Sequence, residues 1–583
     1  MRMDKKRTSV LKRLFTYTRP YRLYMTAALF CAVVSVTLSL LTPILIGNAV
    51  DYIVEPGQVN LEKIGKVIIL LTFAIGGSAL FQWQMSYFTN RITFHTVKDL
   101  RTQAYQKLNA VPLKYIDSNS HGNIINSVVN DIDTISDGLL QGFAQLFTGV
   151  VTIIGTIIFM LSINVSIGLT VIILTPLSLF VAAFISRHTY KKFKEQSEIR
   201  GEMSGLIEEM LGNQKIIKTF NYEDRSIEKF EEINTRLHKC GVRAQFYSSL
   251  TNPSTRFVNG IVYAVVGILG ALSAMKGRIT IGQLSSFLAY ANQYTKPFNE
   301  ISGVITELQA AIACAERVFA LIDEEPEISD EGLIETVDGN KSVKMKDVDF
   351  SYEKQVPFIE DLNLSVQPGQ RIAIVGPTGC GKTTLINLLM RFYDTTAGEI
   401  KISGVDIKKM KRKTLRRMYG MVLQDTWLFH GTVRDNIAYG KENASDEEVL
   451  AAAKSAYAHS FINRLPKGYD TIISEDGGNI SQGQKQLLCI ARVMLTKPQV
   501  LILDEATSNI DTMTEIRIQK AFAVLMEGRT SFIVAHRLST IKESDLILVM
   551  NNGKIIEQGN HEVLLKKGGF YSQLYNSQFA AKD

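Results

Sequence analysis

Cysteine is scarce and scattered: five residues, at 31, 240, 314, 380 and 489, with no pair at metal-ligand spacing. That excludes a zinc finger or ribbon and a disulfide-stapled secreted domain, and it favours reduced, cytosol-facing chemistry. Charge is missing altogether from several long stretches. Residues 23–50, 67–90 and 138–186 contain no Asp, Glu, Lys or Arg. A cleavable leader is also not expected: the run at 23–50 is longer than a signal-peptide core and lacks a small-residue cleavage site, so it reads as a retained membrane span. Acidic residues number 57 against 64 basic ones, a net charge of +7. Basic loops beside a membrane account for that surplus more simply than nucleic acid does.

Hydrophobic residues make up 46% of the chain, and they crowd into its first 320 or so positions. Six spans are expected, at about 23–50, 67–90, 138–161, 165–186, 257–275 and 279–305. The stretch 138–186 is long enough for two spans of about 20 residues with a tight turn near 162–164. The sixth is the weakest, because its uncharged run ends at 295 and contains Gln283, Ser285, Ser286, Asn292 and Gln293. Segments 1–22, 91–137 and 187–256 hold 8, 5 and 13 Lys/Arg, against four in the three opposing loops. The basic segments belong on the cytoplasmic side of a cell membrane, which places both chain ends there. The two long basic loops carry helical patterns and read as spanning helices that continue beyond the bilayer.

Residues 323–341 (DEEPEISDEGLIETVDGNK) turn acidic and lose apolar density, as a linker does. Beyond them strand and helix patterns alternate. The expected fold is a membrane α-helical bundle of six transmembrane helices with long cytoplasmic extensions at 1–322, the linker at 323–341, and an α/β P-loop nucleotide-binding domain at 342–583.

That last domain is organised around 372–384, IAIVGPTGCGKTT. A short apolar run leads into Gly376, and Gly381, Lys382 and Thr383 follow at the spacing G-x-x-x-x-G-K-[ST] before a helical pattern. The glycines let the backbone N–H groups of Gly376, Pro377–Thr384 and their neighbours turn toward phosphate oxygens (Pro377, which has no N–H, excepted), and the helix N-terminus adds partial positive charge. The candidate nucleotide-binding residues are therefore Gly376, Pro377, Thr378, Gly379, Cys380, Gly381, Lys382, Thr383 and Thr384. Cys380 is a small filler at a variable position. Lys382 can reach the β- and γ-phosphates of ATP, and the Thr383 hydroxyl can ligate Mg²⁺. Downstream, 500–505 (VLILDE) is a buried-strand pattern ending in two carboxylates. Asp504 would hold Mg²⁺ through its water shell, and Glu505 would orient or deprotonate the attacking water.

Between these lies 480–484, ISQGQ, opening a helical run. With it the chain resembles the ATP-binding-cassette transporters, specifically exporters with six spans fused ahead of one nucleotide-binding domain, over residues 15–575. The family's signature is typically LSGGQ; Ser481, Gly483 and Gln484 match it, while Ile480 and Gln482 depart from it. By matching position, the resemblance implies that Tyr352 stacks on adenine and that Gln424 senses Mg²⁺ and the membrane domain. It implies that Asp511, in SNID, crosses between two cassettes and that His536 contacts the γ-phosphate. A strand-face tyrosine and a helix-capping aspartate are the plain alternatives for Tyr352 and Asp511. Segments 115–123 and 213–223 look like coupling helices that dock on the cassettes.

The signature is a second anion site that completes a nucleotide held by another cassette, so one chain with one cassette is half of a dimer. Gln482 stands where a glycine meets phosphate, and Asn509 replaces a usual alanine, which favours a heterodimer of unequal sites over a homodimer. The function implied is ATP-driven export of an amphipathic or hydrophobic solute (drug, lipid or peptide), with membrane lipid as surroundings and no nucleic acid partner. The alternatives are a homodimeric lipid flippase and a nucleotide-gated channel; six spans exclude a soluble DNA-working cassette. The uncharged runs carry no ion that would mark a preferred substrate charge. Gln82, Trp83, Gln84, Tyr87, Tyr290 and Asn292 either line a cavity or satisfy helix packing.

Overall fold

Inside a bilayer an apolar run can satisfy its backbone groups only as a helix or closed barrel, and the uncharged runs lie in helices here. The structure, a computed structural model, describes residues 5–53, 59–337, 342–353, 356–424, 426–474, 478–504, 510–535 and 538–578. It divides into two units, one of Met1–Ala110 with Asn119–Glu325 and the other of Val111–Ser118 with Pro326–Asp583. The first unit is helical: Arg22–Asp51, Leu61–Leu108, Asn130–Ile163, Val165–Leu174, Pro176–Gly212, Glu223–Ser249, Thr251–Met275 and Ile281–Asp323 are its main elements. The 48 residues of Leu61–Leu108 extend about 72 Å at 1.5 Å each, more than twice the roughly 30 Å of a hydrocarbon core.

Four stretches among the described residues are long and apolar enough to cross a membrane: Ser9–Asp51, Leu61–Leu108, His121–Ile163 and Glu223–Met275. The run at 165–186 is not one helix. Pro176 has no N–H to give the preceding turn, so Val165–Leu174 ends at Thr175 and Pro176–Gly212 begins anew. Asn164 starts the first of these by accepting from the backbone N–H groups of Ser166 (3.1 Å) and Ile167 (3.2 Å). The helix Ile281–Asp323 runs 43 residues without ending at the last uncharged position. It therefore carries Lys296 and Glu300 along the bundle beyond the last uncharged position, and both line one of its cavities.

The pairing of the first and last of these long helices is close. Pro43 stands inside Arg22–Asp51. Beside it the Tyr290 hydroxyl donates to the Leu40 carbonyl (2.5 Å) and the Ser286 hydroxyl to the Pro43 carbonyl (2.7 Å). One turn on, a Cβ at Gly282 would fall 2.0 Å from the Gly47 carbonyl oxygen, so the two backbones touch where neither residue has a side chain. The Asp51 carboxylate closes this end by accepting from the Thr280 hydroxyl (2.6 Å) and the Gly282 N–H (2.7 Å). Tyr290 is thus a packing residue, whereas Trp83 and Tyr87 are exposed, Gln82 lines a cavity of 670 Å³, and Gln84 accepts from the Cys31 thiol.

Among the described residues the second unit is built on three sheets. A six-stranded sheet has the order Lys554–Gly559, Leu546–Asn551, Arg371–Val375, Thr530–Val534, Val500–Asp504, Tyr419–Val422. Its last five strands run parallel, and only the first pair is an antiparallel hairpin. Parallel strands must be covered on both faces, and the residues alternate accordingly. Ala373, Val375, Leu501, Leu503 and Ile533 join a core with Gln482–Thr496, while Ile372, Ile374, Ile502 and Phe532 join a second core with Lys382–Leu389. The second core also holds the four-stranded antiparallel sheet Ile359–Val366, Val343–Phe350, Ala397–Ile402, Val405–Asp406.

Of the acidic stretch expected to be a linker, Asp323 still belongs to the last helix of the first unit, while residues from Pro326 on pack against the second unit. Asp330 accepts from the Arg412 guanidinium (2.6 Å) and from its backbone N–H (2.7 Å), and the Ile328 carbonyl accepts from Arg412 as well. Residues 338–341 lie outside the described residues.

Candidate functional site

The parallel sheet sets the site, because every strand that bears a candidate residue ends on the same edge. Ile374 is level with Val534, Val534 with Asp504, and Leu503 with Val422. The strand Arg371–Val375 gives way there to the glycine-bearing loop, and Val500–Asp504 ends there on its carboxylate. Two strand spacings, about 10 Å, separate them. Thr530–Val534, lying between, leads toward His536, and Tyr419–Val422 leads into the exposed Gln424. Glu505, Asn509 and His536 themselves lie outside the described residues.

Within the loop Gly379 and Gly381 have φ of +81° and +106°, the left-handed region that a Cβ disfavours. Gly381 directly precedes the helix Lys382–Leu389. Pro377, Thr378 and Gly379 are exposed, while Cys380 is buried and belongs to the core, consistent with a filler. The Lys382 ammonium donates to the carbonyls of Gly376 (2.8 Å) and Pro377 (3.0 Å), which holds its charge against the loop. Thr383 is exposed at the helix start; Thr384 is buried and shares a 2.9 Å hydrogen bond with the Tyr352 hydroxyl. Backbone donors, a cation and a helix N-terminus together suit a polyphosphate. The Thr383 hydroxyl and Asp504 carboxylate are hard oxygen donors of the kind Mg²⁺ takes.

Tyr352 packs edge-on against Phe350, Phe358 and Tyr393, at ring separations of 4.7, 5.6 and 5.2 Å. The cluster sets Tyr352 beside the phosphate-loop helix. Asp511 begins the helix Thr512–Met526 by accepting from the Thr514 N–H (2.9 Å), a bond that also holds its carboxyl below the usual carboxylate range. The sequence alternative of a cap is therefore realised.

The signature stretch opens the helix Gln482–Thr496 through a reciprocal cap. The Ser481 hydroxyl accepts from the Gln484 N–H, and the Gln484 side chain accepts from the Ser481 N–H (3.0 Å). Gly483 is required by packing, since a Cβ there would fall 2.4 Å from the Thr514 methyl. The Gln482 side chain donates to the Thr426 hydroxyl (3.2 Å).

Two further contacts escape sequence reasoning. In the hairpin Leu546–Asn551/Lys554–Gly559, Asn552 and Gly553 have φ of +48° and +76°, as the two central residues of a type I′ turn require. The Gly553 N–H donates to the Cys380 carbonyl (3.0 Å), and a Cβ on Gly376 would fall 2.2 Å from the Met550 carbonyl oxygen. The turn thus braces the phosphate loop from behind. Its Asn-Gly signal is visible in the sequence; its docking on a loop 170 residues away is not. The other contact is at Leu113–Ser118, a short helix within the second unit. Leu113 packs on that unit's core, and the Tyr393 hydroxyl donates to Asp117 (2.5 Å). Burial, reinforced by Asp117, pushes the Tyr393 hydroxyl's pKa up. The helix Gln214–Thr219 belongs to the first unit, and Ile216, Phe220 and Tyr222 around it are exposed.

Residues 25–298 match the family model of the ABC transporter transmembrane region, and residues 359–508 match the ABC transporter model. The chain is 41% identical over 570 residues to an uncharacterized ABC transporter ATP-binding protein of Bacillus subtilis (strain 168), YfiC, covering 98% of this chain and 94% of that one. It is 39% identical over 522 residues to the fatty acid ABC transporter ATP-binding/permease protein of Mycobacterium bovis, covering 89% and 83%. An ATP-dependent lipid A-core flippase of Syntrophus aciditrophicus is 34% identical over 576 residues, covering 98% and 95%. Among solved structures, a bacterial Atm1-family ABC exporter with ATP bound superposes with a TM-score of 0.79 at 28% identity, covering 96% of this chain and 99% of that one. With a helical membrane unit, a phosphate loop and a carboxylate-ending strand in one polypeptide, the chain belongs to the ABC transporters and is a multi-pass exporter of that family that hydrolyses ATP.

Proposed function

We propose that the chain is one half of an exporter that moves an amphipathic or hydrophobic solute across the cell membrane, with both ends in the cytoplasm. The observation that carries the catalytic part is the shared edge of the parallel sheet, where the glycine-bearing loop and Asp504 end two strands apart. In this reading the N–H groups from Gly376 to Thr384, Pro377 excepted, cradle phosphate, and Lys382 neutralises the β- and γ-phosphates. Thr383, Gln424 and Asp504 hold Mg²⁺, which supplies charge neutralisation. Glu505 orients or deprotonates the attacking water, and His536 contacts the γ-phosphate. Tyr352 takes the adenine, while Ser481, Gly483, Gln484 and Asp511 serve the nucleotide of a second cassette.

The second half is proposed to be a different chain, because Gln482 and Asn509 depart from the signature and crossing-loop forms that a fully active site would use. One observation favours a homodimer instead: the Gln482 side chain is turned to Thr426, so it need not fill the helix N-terminus. Size and turnover of the singly expressed chain decide. Weak pairing and slow hydrolysis support the heterodimer; substrate-stimulated turnover by one chain type supports the homodimer. The segments 115–123 and 213–223 are proposed to pass force between membrane unit and cassettes. The division of the chain into a membrane domain at 1–322 and a nucleotide-binding domain at 342–583 is proposed likewise. Phosphate release by Lys382→Ala and Glu505→Gln proteins tests the catalytic reading. Unchanged turnover in either refutes the role given to that residue.

A further inference from the structure

The membrane unit contains a cleft of 760 Å³ between Thr251–Met275 and Ile281–Asp323, lined by Arg256, Asn259 and Tyr263 from one helix and by Asn292, Gln293 and Lys296 from the other. Positions 256, 259 and 263 recur at helical spacing, as do 292, 293 and 296, so each set occupies one face and the two faces confront each other. Two cations and three amides meet there, and no carboxylate lines the cleft among the described residues. Gln293 and Lys296 also line the neighbouring cavity, which Glu300, one turn beyond Lys296, enters without lining this cleft, and among the described residues neither Arg256 nor Lys296 forms an ion pair. The side-chain oxygens of Asn259 and Gln293 are buried with no hydrogen-bond partner among the described residues. Rotating either amide plane presents its NH₂ donors to the same place.

Lys296 lies 15 residues beyond Ile281, about 22 Å along its helix, and a cation at that depth of a membrane bundle is costly and marks a path or a ligand. Arg256 lies 19 residues from Met275, about 29 Å along the helix, which is one hydrocarbon thickness from the turn at 276–280. Arg256 is thus at headgroup depth, with the rest of the cleft along the acyl region.

We propose that this cleft takes the anionic headgroup of an amphipath, a carboxylate or a phosphate on an apolar tail, held by Arg256 and Lys296 with the amides of Asn259 and Gln293. The assignment rests on the exporter reading and gives it a substrate class. The fatty-acid transporter and lipid A flippase among the relatives act on molecules of that general form by their names.

The test is displacement of an anthroyloxy-labelled stearate from the purified full chain in a neutral maltoside detergent. The competitors are oleate, dioleoyl phosphatidate, uncharged monoolein and cationic oleylamine. Expected is a preference of about tenfold or more for an anionic competitor over monoolein, the scale of one charge-assisted hydrogen bond. Displacement by oleate well ahead of phosphatidate identifies a carboxylate ligand, displacement by phosphatidate well ahead of oleate a phosphate ligand, and either outcome supports the site. Arg256→Ala and Lys296→Ala should each lower anionic affinity about tenfold, Arg256→Lys and Lys296→Arg should restore most of it, and Arg256→Glu with Lys296→Glu should favour oleylamine. Equal binding of monoolein and the anions, or Arg256→Ala and Lys296→Ala binding like the unaltered chain, overturns the proposal. ATP hydrolysis measured on the same preparation separates the two readings. Turnover without a headgroup preference overturns the cleft alone; head-selective binding with no turnover, alone or with a partner chain, overturns the exporter reading.

Discussion

Replacing Gly553 by alanine should cripple nucleotide binding from a position that touches no nucleotide. At Gly553 a Cβ would lie 1.6 Å from the Phe358 carbonyl oxygen, and the residue sits at φ +76°. Restoring an ordinary C···O separation of about 3.3 Å requires a movement of roughly 1.7 Å. That movement breaks the 3.0 Å hydrogen bond from Gly553 to the Cys380 carbonyl and shifts Met550, whose carbonyl fills the space behind Gly376. The left-handed backbone costs about 1–2 kcal/mol for alanine, and the orphaned carbonyl about 1–3 kcal/mol more. If half of that sum, about 1–2.5 kcal/mol, is felt by the loop, ATP affinity falls about fivefold to seventyfold. Gly568→Ala is the matched control: its φ is +63°, yet nothing lies within 4 Å of a Cβ there, so it suffers the backbone strain without the collision. The assay is titration with a fluorescent ATP analogue beside thermal melting of both proteins. Gly553→Ala binding ATP like Gly568→Ala would refute the bracing role of the hairpin.

Lys382→Ala should weaken ATP binding roughly tenfold to a hundredfold, since a charge-assisted contact worth about 1.5–3 kcal/mol is lost; equilibrium titration measures it. Tyr290→Phe should lower the melting stability of the membrane unit by about 1 kcal/mol, and Gly282→Ala by more, because its Cβ meets the Gly47 carbonyl at 2.0 Å; equal effects would contradict the close pairing. Tyr393→Phe removes the bond to Asp117 while leaving the phosphate loop alone, so solute moved per ATP should fall with hydrolysis retained, and an unchanged ratio counts against coupling through 113–118. Ser481→Ala should destabilise the signature helix by about 1 kcal/mol through the lost cap, read as a lower melting temperature.

What the sequence made legible was whatever is local in it. The phosphate loop is read from thirteen consecutive residues, and its strand–loop–helix setting follows from the apolar runs on either side. Asp504 is legible because a buried strand ending in carboxylates is itself a pattern. The brace by Gly553 is not, because a close approach between residues 380 and 553 leaves no trace in either stretch. Acidic composition at 323–341 reads as a linker, yet Asp330 is held by Arg412 eighty-two positions later. Uncharged composition hides the break at Pro176, and the sixth span, read to about 305 although its uncharged run ends at 295, lies in a helix that continues to Asp323. Gln482 looks like an obstruction in the sequence, whereas in the folded chain its side chain is turned toward Thr426.

The central claim is that the edge of the parallel sheet hydrolyses ATP to drive export. The most direct measurement is phosphate release and retained nucleotide in the reconstituted assembly, comparing the unaltered chain with Glu505→Gln. The account predicts that Glu505→Gln binds ATP, keeps it unhydrolysed and holds the cassettes together, with transport abolished. Near-normal phosphate release and transport by that protein would contradict it.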